Sequence, residues 1–177
     1  GGKREVGVMT KAICPSTAMA VANWFLEKSW SEPDVPPCDQ LKLYKLVYFA
    51  QAWFLANFDK PLFEEDIEAW PHGPVVRDLY IEFKDFGRDP ITKLGTRLES
   101  RGGEFEVVTP KHDGSLDGFL QVVWDNYKKY KGTRLSNATH ARGEPWEIVS
   151  RHYDLDEKPT IPIELIQEVF KAKIANT

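Results

Sequence analysis

The sequence predicts a mainly α fold: one compact helical domain of about six or seven helices with a minor β-hairpin. Three observations lead there. Apolar residues recur at i, i+3, i+4 spacing through most of the chain. Strict alternation appears in only two short stretches. No internal repeat or long linker divides the 177 residues, a length that supports one real core and is short for two. Residues 13–177 are expected to form that domain. Residues 1–12 read as a tag remnant or flexible N-terminus, with Gly1-Gly2 as the remnant and Met9 as the native start.

The first helix is expected over 16–29, STAMAVANWFLEKS, where Ala18, Val21, Ala22, Phe25 and Leu26 share a face after the Pro15-Ser16 start signal. Three prolines between Pro33 and Pro37 make the next stretch a loop. Asp39 then caps a helix over about 39–57. Its stripe is Leu43, Leu46, Val47, Ala50, Trp53, Phe54 and Asn57, and Tyr44, Tyr48, Phe49 and Leu55 lie off that stripe. A helix apolar nearly all round is buried, so this one is the expected spine.

Ile67, Ala69 and Pro71 alternate with Asp66, Glu68 and Trp70, which suits a short strand. Pro74 is placed in the first turn of a helix reaching about Phe86, with Val75, Val76, Leu79, Tyr80 and Phe83 inward. Gly87 to Pro90 ends it. Phe105 and Val107 mark a weak strand expected to pair with 65–71, and Arg101-Gly102-Gly103 reads as a turn.

From Asp113 or Ser115 a strong helix carries Leu116, Phe119, Leu120, Val123, Trp124 and Tyr127 inward, and Gly132 is read as its stop. Thr133 opens a short helix to about Ala141, and Pro145 starts another holding Trp146, Ile148 and Val149. Thr160 and Pro162 begin the last, with Ile163, Ile166, Phe170 and Ile174 inward.

Composition narrows the function classes. With 42% apolar residues and a net charge of −4, the chain is neither disordered throughout nor fibrous. Twenty-three Lys and Arg against 27 Asp and Glu disfavour a protein whose affinity comes from neutralising phosphates. Cys14 and Cys38 have no metal-ligand spacing, and reduced thiols are the expectation. The longest apolar run, Leu46–Ala56, is interrupted by Gln51 and is about half of the roughly 20 residues a membrane helix needs. The N-terminus lacks the apolar core of a signal peptide, so a cytoplasmic protein without membrane contact is expected.

A search for chemistry finds no catalytic set, and no enzyme, cofactor or metal is expected. His72, His112, His140 and His152 contain no HExxH pair. His72, in WPHGPV, either binds an anion or partner carboxylate or simply holds its turn. Ser136, Asn137, Thr139 and His140 lie close in sequence, but no nucleophile elbow accompanies them, and a capping or buried polar network is the simpler reading. A hydrolase using His72 or His140 needs a Ser or Asp neighbour supplied by the fold. Glycine-rich nucleotide motifs are absent, and the acidic clusters Glu64-Glu65-Asp66 and Asp154-Asp156-Glu157 lack EF-hand spacing. Lys128, Lys129, Lys131 and Arg134 form the one candidate phosphate-binding stretch. A small nucleic-acid-binding regulator is therefore the alternative to a protein-binding domain.

Three segments carry a resemblance: LKLYKLVYFAQAWFLANFDKPLF at 41–63, EDIEAWPHGPVVRDLYIEFKDFG at 65–87 and LSNATHARGEPWEIV at 135–149. In this order and spacing they resemble the Panacea domain, the SocA-like group of bacterial and phage-associated proteins. By position, the shared residues fall on Leu43, Lys45, Leu46, Tyr48, Ala50, Gln51, Trp53, Ala69, Trp70, His72, Gly73, Pro74, Val75, Thr139, His140 and Trp146. Tyr44 stands where the family often carries Gln. The resemblance implies an antitoxin that neutralises a cognate toxin by direct contact, in one form as an adaptor that delivers it to a AAA+ protease. The residues expected at a partner surface are Tyr44, Lys45, Gln51, Trp70, His72, Arg77, His140 and Trp146. Lys45 and Gln51 either line a cleft beside the histidines or satisfy buried backbone groups.

Six Trp, six Tyr and ten Phe remain to be placed. Periodicity assigns Phe25, Trp53, Phe54, Tyr80, Phe83, Phe119, Trp124, Tyr127 and Phe170 to inward stripes. Tyr44, Trp70 and Trp146 are the rings left for a partner.

Overall fold

A computed structural model of the chain describes residues 14–177. The N-terminal reading of 1–12 lies outside them. Seven α-helices are present among the described residues: α1 (Ala18–Ser31), α2 (Gln40–Phe58), α3 (Arg77–Phe83), α4 (Asp117–Tyr127), α5 (Gly132–Thr139), α6 (Pro145–Ser150) and α7 (Ile163–Ala175). Four short strands accompany them: β1 (Ile67–Trp70), β2 (Gly73–Val76), β3 (Arg97–Arg101) and β4 (Glu104–Val108). The expected mainly helical class is the observed one.

Helix α2 is the spine, and α1, α4, α5 and α7 all pack on it. Its residues are buried from Lys42 through Ala52, followed by Phe54, Leu55 and Ala56. The Asp39 side chain accepts from the Lys42 amide at 2.9 Å and satisfies one free N–H of the first turn. At the other end Asp59 adopts a left-handed conformation (φ 58°) that closes the helix. Helix α1 is capped by Thr17, and its first turn also receives Glu65, whose Oε2 accepts from the Ala18 amide at 2.9 Å.

Several expectations about the strands are corrected. Residues 73–76 form β2, antiparallel to β1, and the helix begins only at Arg77. Pro74 is compatible with this strand because it sits opposite Ala69 on an outer edge. The Ala69 amide points away from Pro74 and donates to the Pro159 carbonyl at 2.7 Å, so the missing proline N–H costs no ladder bond. The segment around Thr160 thereby lines the far edge of β1, and the Ile161 amide donates to Ile67 at 2.8 Å.

Strand β4 pairs with β3 instead of 65–71, so two separate hairpins exist. The turn at Gly102-Gly103 joins them, both glycines having positive φ. The weak strand read at Phe105 and Val107 is β4, whereas β3 escaped periodicity because neither face of this hairpin is buried.

Gly132 is likewise not a helix stop but the first residue of α5. A Cβ there would lie 2.7 Å from the Lys42 backbone nitrogen, so glycine permits the close approach of α5 to the start of α2. Among the rings expected inward, Phe25, Phe54, Phe83, Trp124 and Phe170 are core, and Trp53, Phe119 and Tyr127 pack partly buried against it. Tyr80 and Ile174 are exposed. Tyr80 turns outward because α3 is short and only Leu79 and Phe83 of its seven residues are buried.

Candidate partner-binding cleft

A cleft of about 730 Å³ lies among the family-like segments. Helix α2 supplies Leu41, Tyr44 and Lys45 to one wall, and the β1–β2 hairpin supplies Trp70, Pro71, His72 and Val75 to another. Tyr80, Gly87, Arg88, Thr133 and Lys158 complete the lining.

Lys45 is fully buried although it borders the cleft. Its Nζ donates to the Pro74 carbonyl at 3.0 Å. That carbonyl is available because Pro74 faces away from β1. Burial pushes the amine down to about 7, since the charged form loses its water. The neighbouring turn is tight: a Cβ on Gly73 would lie 3.1 Å from Lys45 Nζ and from Thr139 Oγ1.

Trp70 is held from several sides. Its Nε1 donates to Glu68 Oε1 at 2.8 Å, and the Tyr80 ring meets it edge-on at 4.7 Å. Lys158 Nζ lies 4.4 Å and the Arg77 guanidinium 5.7 Å from its ring centroid. Arg77 also forks onto both oxygens of Glu68, at 2.9 and 3.2 Å. Tyr44 donates its hydroxyl to Gln40 Oε1 at 2.8 Å, and burial pushes its phenol well up.

Behind the hairpin lie His140 and Trp146, stacked at 4.1 Å between centroids. Trp146 Nε1 donates to the Trp70 carbonyl at 2.7 Å. Ser136 Oγ donates to the His72 carbonyl at 2.8 Å, which clamps α5 to the turn. Burial is the main cause lowering His140, the His72 backbone offsets it, and Lys45 and His72 lower it further. No carboxylate acts on that ring, and Ser136 is engaged elsewhere. Ser136 and Thr139 are buried and donate to backbone carbonyls, His140 is partly buried beside them, and Asn137 is exposed. Among the described residues no group of His, Cys, Asp and Glu is arranged to hold a metal ion.

Of the eight residues expected at a partner surface, Tyr44, Lys45, Trp70 and His72 border the cleft. Arg77 flanks it through Trp70. His140 and Trp146 support it from behind. Gln51 lies elsewhere: its Nε2 donates to Phe63 O at 2.9 Å and its Oε1 accepts from Leu62 N at 2.7 Å. It ties the loop after α2 to the core.

Sequence reasoning missed Arg88 and Lys158, which sit in polar turns with no local signal of convergence, and placed Tyr80 inward. The basic stretch is also modified by its surroundings. Lys128 pairs with Glu32 at 2.9 Å and Asp125 at 3.3 Å, and Lys129 and Arg134 lie over the Tyr130 ring.

The family described as "Antitoxin SocA-like, Panacea domain" matches residues 43–147, which take in most of α2, both hairpins, helices α3 to α5 and the start of α6. The chain belongs to this family. Within it, Antitoxin SocA of Caulobacter vibrioides (strain NA1000 / CB15N) is 31% identical over 133 residues, covering 75% of this chain and 70% of that protein. No solved structure matches the chain significantly. In this SocA-like protein no helix among the described residues is long and apolar enough to cross a membrane.

Proposed function

We propose that this Panacea-domain protein is an antitoxin that neutralises a cognate toxin by direct protein–protein binding in the cytoplasm, without catalysis. The observation carrying the proposal is its membership of the SocA-like antitoxin family through a stretch that includes most of the residues lining the cleft. The geometry supports a binding role. An aromatic floor on a rigid helical frame offers anchors that lose little freedom on contact. Tyr80 and His72 are exposed at its margin. The toxin is then either blocked in the complex or handed to a AAA+ protease.

Co-production with the neighbouring gene products tests this. A toxic neighbour should be silenced and should co-purify with the protein. Replacing Tyr80 and His72 together by Asp should weaken the complex by at least about 2 kcal/mol, about thirtyfold in Kd, with the melting temperature little changed. Following the toxin's abundance separates blocking from degradation. If no neighbour is toxic, bound or relieved, the antitoxin reading fails.

A further inference from the structure

We propose that the cleft receives an acidic segment of the partner protein, a large apolar side chain flanked by carboxylates. This deepens the toxin-binding reading and rests on it.

The argument is charge and shape. The protein as a whole carries −4. The cleft reverses that sign: Lys45, Arg88 and Lys158 border it against one carboxylate, Asp39. Asp39 is already occupied as the cap of α2. Arg88 is exposed, and Lys158 is held over Trp70 by a left-handed backbone (φ 50°) just before Pro159. A concentrated positive patch on a negative body attracts an anionic surface and repels the molecule's own kind.

The walls between these charges are apolar and aromatic, from Leu41, Tyr44, Trp70, Val75 and Tyr80. A purely ionic ligand would leave them uncovered, and a purely apolar one would strip water from Arg88 and Lys158. An apolar side chain with neighbouring carboxylates satisfies both. Lys45 adds weight, because its ammonium is buried on a carbonyl with no counter-ion. A carboxylate brought into the cleft supplies the missing negative charge.

Duplex DNA is disfavoured as the occupant. A phosphate backbone would be carried against a net negative protein, and the cleft is a concave aromatic pocket, not a basic stripe.

The test uses the full chain and two N-acetylated, C-amidated peptides, Glu-Glu-Leu-Phe-Glu-Glu and Gln-Gln-Leu-Phe-Gln-Gln. Binding is read from the NMR shifts of the Trp70 and Trp146 indole N–H signals. The acidic peptide should bind at least about tenfold more tightly than its neutral counterpart and weaken as salt rises. Arg88→Glu should reduce its affinity several-fold, and Arg88→Glu with Lys158→Glu should abolish binding. Arg101→Glu, on the exposed β3–β4 hairpin that contributes nothing to the cleft lining, should leave it unchanged. Arg88 is an exposed loop residue, so its variant keeps the test informative if the double variant is poorly folded.

Equal binding of the two peptides, no binding of either, shifts indifferent to Arg88→Glu, or occupation of the cleft by a second copy of the chain or by duplex DNA would each overturn the inference. The two readings fail separately. A toxin complex that survives Arg88→Glu with Lys158→Glu ends the acidic-segment inference and leaves toxin binding intact. Selective peptide binding with no toxin among the neighbours does the reverse.

Discussion

Lys45 shows how one residue type can carry opposite meanings at two adjacent turns of a helix. Lys42 and Lys45 are both fully buried. Lys42 reaches two carbonyls, Pro36 at 2.8 Å and Lys128 at 2.5 Å, and lies 5.6 Å from the centre of the Trp124 ring. It is a strut that ties the proline-rich loop and the end of α4 to α2. Lys45 has the Pro74 carbonyl and a cleft beside it.

The cost of burying Lys45 predicts a pH dependence. The unfolded chain keeps that amine protonated to near 10.5, whereas the folded chain releases the proton at about 7. Between these values the unfolded state binds more protons, so stability rises with pH. Below about 7 the penalty is fully present. Urea unfolding from about pH 7 to pH 9 should show a gain of up to about 1.4 kcal/mol per pH unit, and Lys45→Met should flatten it. Cys38, pushed up to about 11 by burial, acts in the opposite sense above its ordinary value of 9.0, which sets the upper limit of the window.

Among the elements, the β1–β2 hairpin was half legible. The alternation in β1 is visible because one face meets the core. Strand β2 was hidden by Pro74, which reads equally well as a helix start, and only the tertiary partner of β1 distinguishes the two. The decisive neighbour is Pro159, about 90 residues away in sequence, which takes the Ala69 amide. Gly73 holds the turn at φ 121°, a conformation L side chains rarely adopt. Gly73→Ala should therefore cost about 1–3 kcal/mol and lower the melting temperature, and the new methyl should displace Lys45 from the Pro74 carbonyl. Calorimetry reads the first effect, and loss of the Lys45-dependent pH slope reads the second.

For the whole molecule the aromatic excess divides into two populations. Most of the rings interlock around α2: Phe49 stacks on Tyr127 at 4.3 Å, and Phe170 of α7 meets Trp53 edge-on at 4.9 Å and Tyr48 at 6.0 Å. Phe170→Ala should cost about 3–5 kcal/mol, because it removes a fully buried ring from a site walled by other rings. Phe105, 77% exposed on the β3–β4 hairpin, is the contrasting case. Phe105→Ser should change stability by no more than about 0.5 kcal/mol. Chemical denaturation of the two variants side by side checks both. The hairpin's other side is held by exposed charge pairs, Arg97 with Glu99 and Arg101 with Glu99 and Glu106, which contribute little stability.

By itself the sequence determined the helical class, the central α2 with its Asp39 cap, the inward faces of α1, α4 and α7, and the family-like segments. These depend on periodicity and end signals that act over a few residues. Tertiary structure alone decided that Lys45 borders a cleft while Gln51 braces a loop, that Arg77 and Lys158 converge on Trp70 and Arg88 joins the same cleft, and that Tyr80 faces outward. The reason is the range of the interactions. A side chain's partner, its water and its neighbouring charges are set by segments far apart in the chain, and a lysine on an apolar helix carries no local mark of which carbonyl, ring or cleft it will meet.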